Sequence, residues 1–453
     1  MHFSPDPSGT TQTMISVDEA RERILACFAP LTPRRTPLLD ALGLVLAEPI
    51  IARESIPPFT NSAMDGYAVR ASDTRGACPD RPAELRVIGE APAGTPSPRW
   101  FIDEAIPLRI ESGMAIRIMT GAVLPPGADA VVRFEDTDES DTPSTSRSRG
   151  VVRVRREITT GENVRHAGED ILAGSIVFEP GTVLGPAHLG LLASLGYSWV
   201  LVHPRPRIAI LATGDEVVPI DWPLEPGQIR NSNSTVLAAL VHQTGGIPKL
   251  VGIAADREED VARHLQYTHD ADLILTSGGV SQGDYDRIKE FLRARGRFEI
   301  WQVRIKPGKP MAFGFVADTP VLALPGNPVA AVVAFLQFAR PAILRLLGRA
   351  DLEPIRVRAR LTKPVENRGR RRHFVRALLH RRSGELWVTP VPQQGSGILS
   401  SLVHGNCLAV IPEEWSEAPV GSEVTVELYD PSIAAAILLH NPREAVRRES
   451  QPA

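Results

Sequence analysis

"DLILTSGGVSQGDYD", residues 272–286, decides how this chain is read. It opens as a buried-strand candidate, "DLILTS", and breaks into glycines and hydroxyls. A helix-like segment, "YDRIKEFLRARG", follows. Strand, glycine-rich loop and helix in that order are the repeating unit of an α/β domain with a largely parallel sheet. The loop itself holds a contradiction. Gly278, Gly279 and Ser281 offer bare N–H groups and a hydroxyl that can close around phosphate oxygens. Asp284 and Asp286 then place two negative charges beside them.

The surrounding sequence repeats the unit. "RIAILA" from Arg207 reads as a strand, and "STVLAALVHQ" as a helix with Ser234 as its cap. "KLVGIA", "REEDVARHLQY", "FEIWQVRI" and "PVLAL" continue as strand, helix, strand and strand before a long closing helix. Three polar loops each follow an apolar strand: "ATGDE" (212–216), "SGGVSQGD" (277–284) and "LPGNP" (324–328). Ligands of open α/β sheets bind outside the carboxyl ends of strands, so the three loops are expected to meet at one crevice. Neither G-x-x-x-x-G-K-[ST] nor G-x-G-x-x-G occurs in them, which removes support from the usual ATPase and dinucleotide readings.

Two more features fix the chemistry expected there. "LPGNPVAAV" runs into a helix with Pro328 in its first turn, so that helix is expected to present free N–H groups to an anion. "IKPGKPMAFG" (305–314) sets Lys306 and Lys309 on either side of a Pro-Gly turn, either as two solvated lysines or as a rigid pair facing one oxyanion. Asp215 and Glu216 lie in one loop and Asp284 and Asp286 in another. Carboxylates can face a polyphosphate when a hard cation sits between them, and magnesium takes one or two protein carboxylates together with phosphate oxygens and water. Asp284 could equally cap the helix that follows it.

Beyond this domain the chain reads as several units, as 453 residues require. Residues 45–155 give short β-like runs cut by proline and glycine, and "EDTDESDTPSTSRSRG" (135–150) reads as a solvated surface loop. After Pro354 come five short strands: "IRVRARL", "HFVRALLH", "ELWVTPV", "CLAVIP" and "EVTVELY". They suggest a small barrel or sandwich. Fifty basic residues against fifty-three acidic give a net charge of −3, which lacks the field that draws proteins to nucleic acid or acidic membranes. Cys27, Cys78 and Cys407 are far apart, without disulfide or zinc spacing. The first residues lack a signal-peptide pattern, and Arg340 and Pro341 interrupt the most apolar stretch, which is therefore not expected to span a membrane. A cytoplasmic protein without membrane or nucleic-acid partners is the expectation.

"FTNSAMDGYAV" (59–69), "IMTGAVLPPGADAVV" (118–132), "HAGEDI" (166–171), "ATGDEVV", "GQIRNSN" (227–233), "SGGVSQGDYD", "IKPGKPMAFG", "LPGNPVA" and "QQGSGILSSLVHGNCLAVIP" (393–412) occur in this order. Together they resemble the MoeA family, molybdopterin molybdenumtransferase, which includes the E domain of gephyrin. The resemblance runs from about Ser16 to Tyr429. It implies a central, MogA-like α/β molybdopterin-binding domain with a mostly parallel sheet over 205–352. It also implies a discontinuous N-terminal elongated domain (14–58 and 155–204), a β-rich insert (59–154), a C-terminal β-barrel-like domain (353–430), and tails at 1–13 and 431–453. The implied activity is insertion of molybdate into adenylylated molybdopterin with release of AMP, aided by a divalent cation such as Mg2+. The implied assembly is a homodimer with shared clefts, with transient contacts to other proteins of the same pathway.

By position, the resemblance makes Asp65, Thr120 and Asp170 cleft residues, and Glu216 and Asp286 the acids of the α/β domain and its metal ligands. Lys306, Lys309, Arg376 and Ser396 become the oxyanion pocket, with Arg371 and Arg372 as competitors for the place of Arg376. A dianion such as molybdate suits fixed cations and a hydroxyl. Tyr285 departs from the small residue common in relatives. Two rival readings are an adenylyltransferase acting on molybdopterin, which would resemble the α/β domain alone, and a non-catalytic scaffold of the gephyrin kind.

Overall fold

Arg207–Thr213 is the hub of the central sheet. Every residue after Arg207 is buried, because the strand is covered on both faces, and its unbroken Ile/Ala/Leu run fits that position. Ile247–Ala254 and Leu273–Ser277 flank it in parallel, and Thr319–Leu324 extends the parallel set beyond Leu273–Ser277. Pro310–Val316 and Gly296–Val303 continue the sheet with antiparallel pairings, and Met14–Ile15 closes that edge, parallel to Gly296–Val303. The computed structural model describes residues 14–96, 99–100, 109–141, 150–278 and 296–429. Residues 285–295 of the expected helix, both tails, and Gly279, Ser281, Asp284 and Asp286 lie outside the described residues, while Gly296 opens a strand.

One helix begins earlier than expected, and another holds its course through a proline. Ser232–Thr244 is capped by Asn231, whose Oδ1 accepts the Ser234 N–H at 3.1 Å. Ser234 is already helical and buried, so the cap lies three residues earlier than expected. The long closing helix expected after "PVLAL" runs over Pro328–Leu346 and passes through Arg340 and Pro341 without a break. Pro341 has no N–H for the carbonyl of Gln337 four residues back. The helix widens into a π-turn over Phe335–Ala339, and the Gln337 carbonyl accepts from Arg21 Nε at 3.2 Å instead. This helix is long and apolar enough to cross a membrane, yet its most apolar window is 83% buried. It packs Val333, Phe338 and Ile343 in the same core as Ile208 and Leu275.

Val17–Leu25 begins at Ser16, whose Oγ accepts the Glu19 N–H at 3.0 Å as its sequence suggests. It buries Val17, Ala20 and Ile24 in the α/β core, with Ile15 and Phe28 beside them. Elsewhere, segments from both sides of the β-rich stretch pair with each other. Arg34–Pro37 and Val45–Leu46 flank Trp199–His203, Ile50–Ile51 meets Ile176–Phe178, and Asn61–Ser62 meets Val164–Arg165. Between them lies a separate sheet in the order 130–133, 66–69, 114–118, 83–91, 151–154. The C-terminal strands 355–361, 372–382, 385–390, 407–411 and 423–428 close into a barrel, since Arg372–Arg382 pairs with both Glu385–Pro390 and Cys407–Ile411. The α/β chain contributes to that barrel. Ile305–Lys306 lies parallel to Arg372–Arg382, with Lys306 opposite His373.

Candidate functional site

Parallel pairing brings three strand ends to one edge, with Ala212 beside Ser277 and Ser277 beside Leu324. Gly278 turns the chain there at φ +104°, a conformation suited to glycine, and an added Cβ would stand 2.6 Å from the Thr213 carbonyl. Asn233 ties the edge together: its Nδ2 donates to Ser277 Oγ and to the Gly326 carbonyl, both at 2.7 Å. Sequence reading gave Asn233 and Thr213 no role, although both lie in stretches that stood out, "GQIRNSN" and "ATGDE". Glu216 is exposed in the first of these loops and folds back toward Gly214, while the neighbouring Asp215 accepts the Asp256 N–H at 3.1 Å.

The Pro325–Pro328 loop meets these strand ends where Gly326 lies against Gly278, and it also borders a cationic cluster. Gly308, in the turn between Lys306 and Lys309, packs against Pro325 and Ala330. Val329 donates its N–H to the Ser396 carbonyl at 3.0 Å. With the Val329 N–H taken in this way, the start of the long helix offers fewer donors to an anion than its sequence suggests. Lys306 is half-buried. Burial first, and then the charges of Arg371 and Arg376, hold its ammonium below the ordinary lysine range, with Glu366 opposing. Lys309 is half-buried on the far side of the turn, and its carbonyl accepts the Val303 N–H at 2.9 Å.

The three competing arginines separate clearly. Arg372 makes a two-pronged pair with Asp18, both contacts at 2.7 Å. Arg376 is fully buried, with Nε donating to Ser401 Oγ and Nη2 to the Gly395 carbonyl, each at 3.2 Å. Its Nη1 is buried without a hydrogen-bond partner among the described residues, and burial pushes its pKa down to about 10. Gln394 bonds the Arg376 main chain in both directions, at 3.1 and 2.8 Å, which fixes the loop that carries Ser396. A buried guanidinium without a carboxylate is costly. Lys306, Arg371 and Arg376 therefore concentrate positive charge that an anion would relieve.

His373 sits inside this cluster, 4% exposed, with neither ring nitrogen hydrogen-bonded among the described residues. Burial, followed by the charges of Lys306, Arg376 and Arg371, lowers its pKa to about 3. The folded protein keeps the ring neutral while the unfolded chain protonates it below its ordinary value. Stability is therefore unaffected above that value and falls with acidification towards pH 3, by about 1.4 kcal/mol per pH unit. His373→Phe is expected to flatten that limb. Urea melts of variant and parent at pH 6.5 and pH 4.5 should differ in their pH dependence by roughly 2–3 kcal/mol.

Asp65 and Thr120 are brought together in the separate β-sheet. Asp65 precedes Gly66–Val69 and Thr120 follows Met114–Ile118, and Gly66 pairs with Ile118. Asp65 Oδ1 accepts the Thr120 N–H at 2.7 Å and its hydroxyl at 2.8 Å, so an exposed carboxylate is held in one orientation. The buried side chains of this sheet form clusters of their own, distinct from the α/β core. Asp170 is exposed in the turn after Val164–Arg165, and its N–H donates to the Ile56 carbonyl at 3.0 Å. Among the described residues no group of three or more His, Cys, Asp or Glu side chains could hold a metal ion.

Three family models match in sequence: the MoeA N-terminal region (domain I and II) over residues 15–196, a probable molybdopterin binding domain over 209–345, and the MoeA C-terminal region (domain IV) over 358–429. Molybdopterin molybdenumtransferase 2 of Mycobacterium tuberculosis is 39% identical over 422 residues, covering 91% of this chain and 99% of that protein. Molybdopterin molybdenumtransferase of Haemophilus influenzae is 34% identical over 421 residues, covering 92% and 99%. Two structures of the MoeA protein from Pyrococcus horikoshii superimpose with TM-scores of 0.77 and 0.72. Each is 30% identical and covers 92% of this chain and 100% of that one.

Proposed function

Because this chain belongs to the MoeA family of molybdopterin molybdenumtransferases, we propose that it completes the molybdenum cofactor, inserting molybdate into adenylylated molybdopterin and releasing AMP. The observation that carries this reading is the cationic cluster of Lys306, Arg371 and Arg376, which lies beside the Pro325–Pro328 loop that also meets the strand ends at Gly278. The matches along the N-terminal and C-terminal regions separate it from the adenylyltransferase reading, which rests on the α/β domain alone.

In this mechanism the strand ends at Gly278, Thr213 and Asn233 hold the pyrophosphate, with Gly279 and Ser281 as further donors. Lys306, Lys309, Arg376 and Ser396 hold the molybdate dianion with charge-assisted hydrogen bonds. Pairing with a dianion raises the lowered pKa of Lys306, so binding takes up a proton and weakens as pH rises through the free lysine's value. No side chain in the described site is a covalent nucleophile, so the residues work by placement and electrostatics.

A magnesium ion fits the donor chemistry in one respect. Glu216 presents an exposed carboxylate at the strand ends, and such an ion needs only one or two carboxylates besides phosphate and water. Glu216 and Asp286 would hold it, and it would supply polarisation of the phosphate oxygens. Asp65, with Thr120 orienting it, and Asp170 serve a cleft completed by a second copy of the chain in a cytoplasmic homodimer. Exposed Phe59, Met64 and Leu172 in the same region support that arrangement.

The test is turnover of adenylylated molybdopterin followed by AMP release. Release is expected to require molybdate, to stop with a chelator and to return with magnesium. Consumption of ATP in the presence of free molybdopterin, without turnover of the adenylylated form, would overturn the reading in favour of adenylylation.

A further inference from the structure

We propose that Asp18 is a positioning residue for the oxyanion pocket: by gripping Arg372 it seats the barrel strand against Ile305–Lys306 and so sets where Lys306 lies relative to Arg371 and Arg376. The inference rests on the reading of that pocket given above.

Lys306 belongs to a strand of only two residues, and a ladder that short does little to hold its own register. The order must come from its surroundings, and a continuous clasp supplies it. Ile15 pairs with Val303, and the Ile15 carbonyl accepts the Arg304 N–H at 2.9 Å. The Arg304 carbonyl accepts the Arg372 N–H at 2.8 Å, and Arg372 reaches back to both carboxylate oxygens of Asp18 at 2.7 Å. Residues 15–18 and 372 thus enclose the chain just before Lys306, and the next register pair along is Lys306 with His373.

The base of the clasp is rigid. Asp18 lies in the first turn of Val17–Leu25, where the helix end favours a carboxylate, and that helix is anchored by buried Val17, Ala20 and Ile24. One turn on, Arg21 bonds the side chain of buried Gln337 at 2.6 Å, tying the helix to the long core helix. A two-pronged arginine–carboxylate pair fixes orientation as well as distance. The Arg372 hydrogen bond also keeps the Asp18 carboxyl below its usual range, so the clasp persists into mild acid. It has a second effect. Of the consecutive Arg370, Arg371 and Arg372, the pair neutralises the third and leaves Arg371 to act on Lys306.

Calorimetric titration of the full chain with molybdate tests this. Asp18→Asn is expected to bind molybdate roughly tenfold more weakly than the parent, and Asp18→Glu, which restores the charge, to recover most of that loss. Asp270→Asn is the control for simple destabilisation. It removes contacts to Lys249 and Arg207 at the opposite end of the sheet and should leave molybdate affinity unchanged. Parent-like affinity in Asp18→Asn, with binding lost in Lys306→Ala, overturns the clasp and leaves the pocket standing. A parent protein that takes up no molybdate overturns both.

Discussion

Lys306→Ala is expected to reduce molybdate-dependent AMP release by about 10²–10³-fold, the scale seen when one fixed charge-stabilising donor is removed, while the protein melts at the same temperature or slightly higher. The second half of that result is the diagnostic one. An ordinary structural lysine loses favourable contacts when truncated. Lys306 is instead held in a partly dehydrated place that feels the charges of Arg371 and Arg376, so the folded state disfavours its charge relative to the unfolded chain. Removing it relieves repulsion. A thermal scan beside the turnover assay therefore distinguishes a binding lysine from a structural one. A large drop in melting temperature with turnover preserved would contradict the assignment.

Gly66→Ala is expected to have the largest effect on folding. A Cβ at this position would fall 1.9 Å from the Val132 carbonyl oxygen and 2.9 Å from the Arg133 Cα, both main-chain atoms of the neighbouring strand. Gly66 lies between Ile118 and Arg133 in the sheet, so neither side can yield without breaking the ladder. The expected cost is about 3–5 kcal/mol, seen as an earlier unfolding step in a calorimetric scan. Its consequence for function is selective. The Asp65–Thr120 contact lies at the start of the same Gly66–Val69 strand, on the side facing Met114–Ile118, and should be lost with it, lowering turnover. Molybdate affinity at Lys306 should hold, because the two sheets are built on separate cores.

What the sequence disclosed follows from which interactions are local. The strand-and-loop rhythm from Arg207 to Leu324 was legible, because burial on both faces writes an unbroken apolar run and the loops sit at strand ends. The Ser16 cap was legible because a cap is settled within four residues. Asn231 was missed in favour of Ser234 because both are good caps, and the choice depends on where the chain enters the sheet. The long closing helix was legible, but what lets it pass Pro341 was not, for a stronger reason. It depends on Arg21, more than three hundred positions away in the chain, taking the carbonyl that proline cannot serve. The separation of Arg371, Arg372 and Arg376 was hidden likewise, since it turns on Asp18 and on closure of the barrel. Asp65 and Thr120 stood out in the sequence, but only strand pairing shows that one orients the other.

The strand Ile305–Lys306 has a bearing on how such proteins can be recombined. A chimaera that exchanges the last hundred or so residues for a relative's would be joined covalently near Pro354, but it inherits a second, unlinked seam where this dipeptide lies along the incoming barrel. Swaps designed by splice point alone would transplant the guanidinium groups and leave the lysine behind in a host not tailored to them. Module exchange here must preserve two junctions, one peptide bond and one patch of β-ladder.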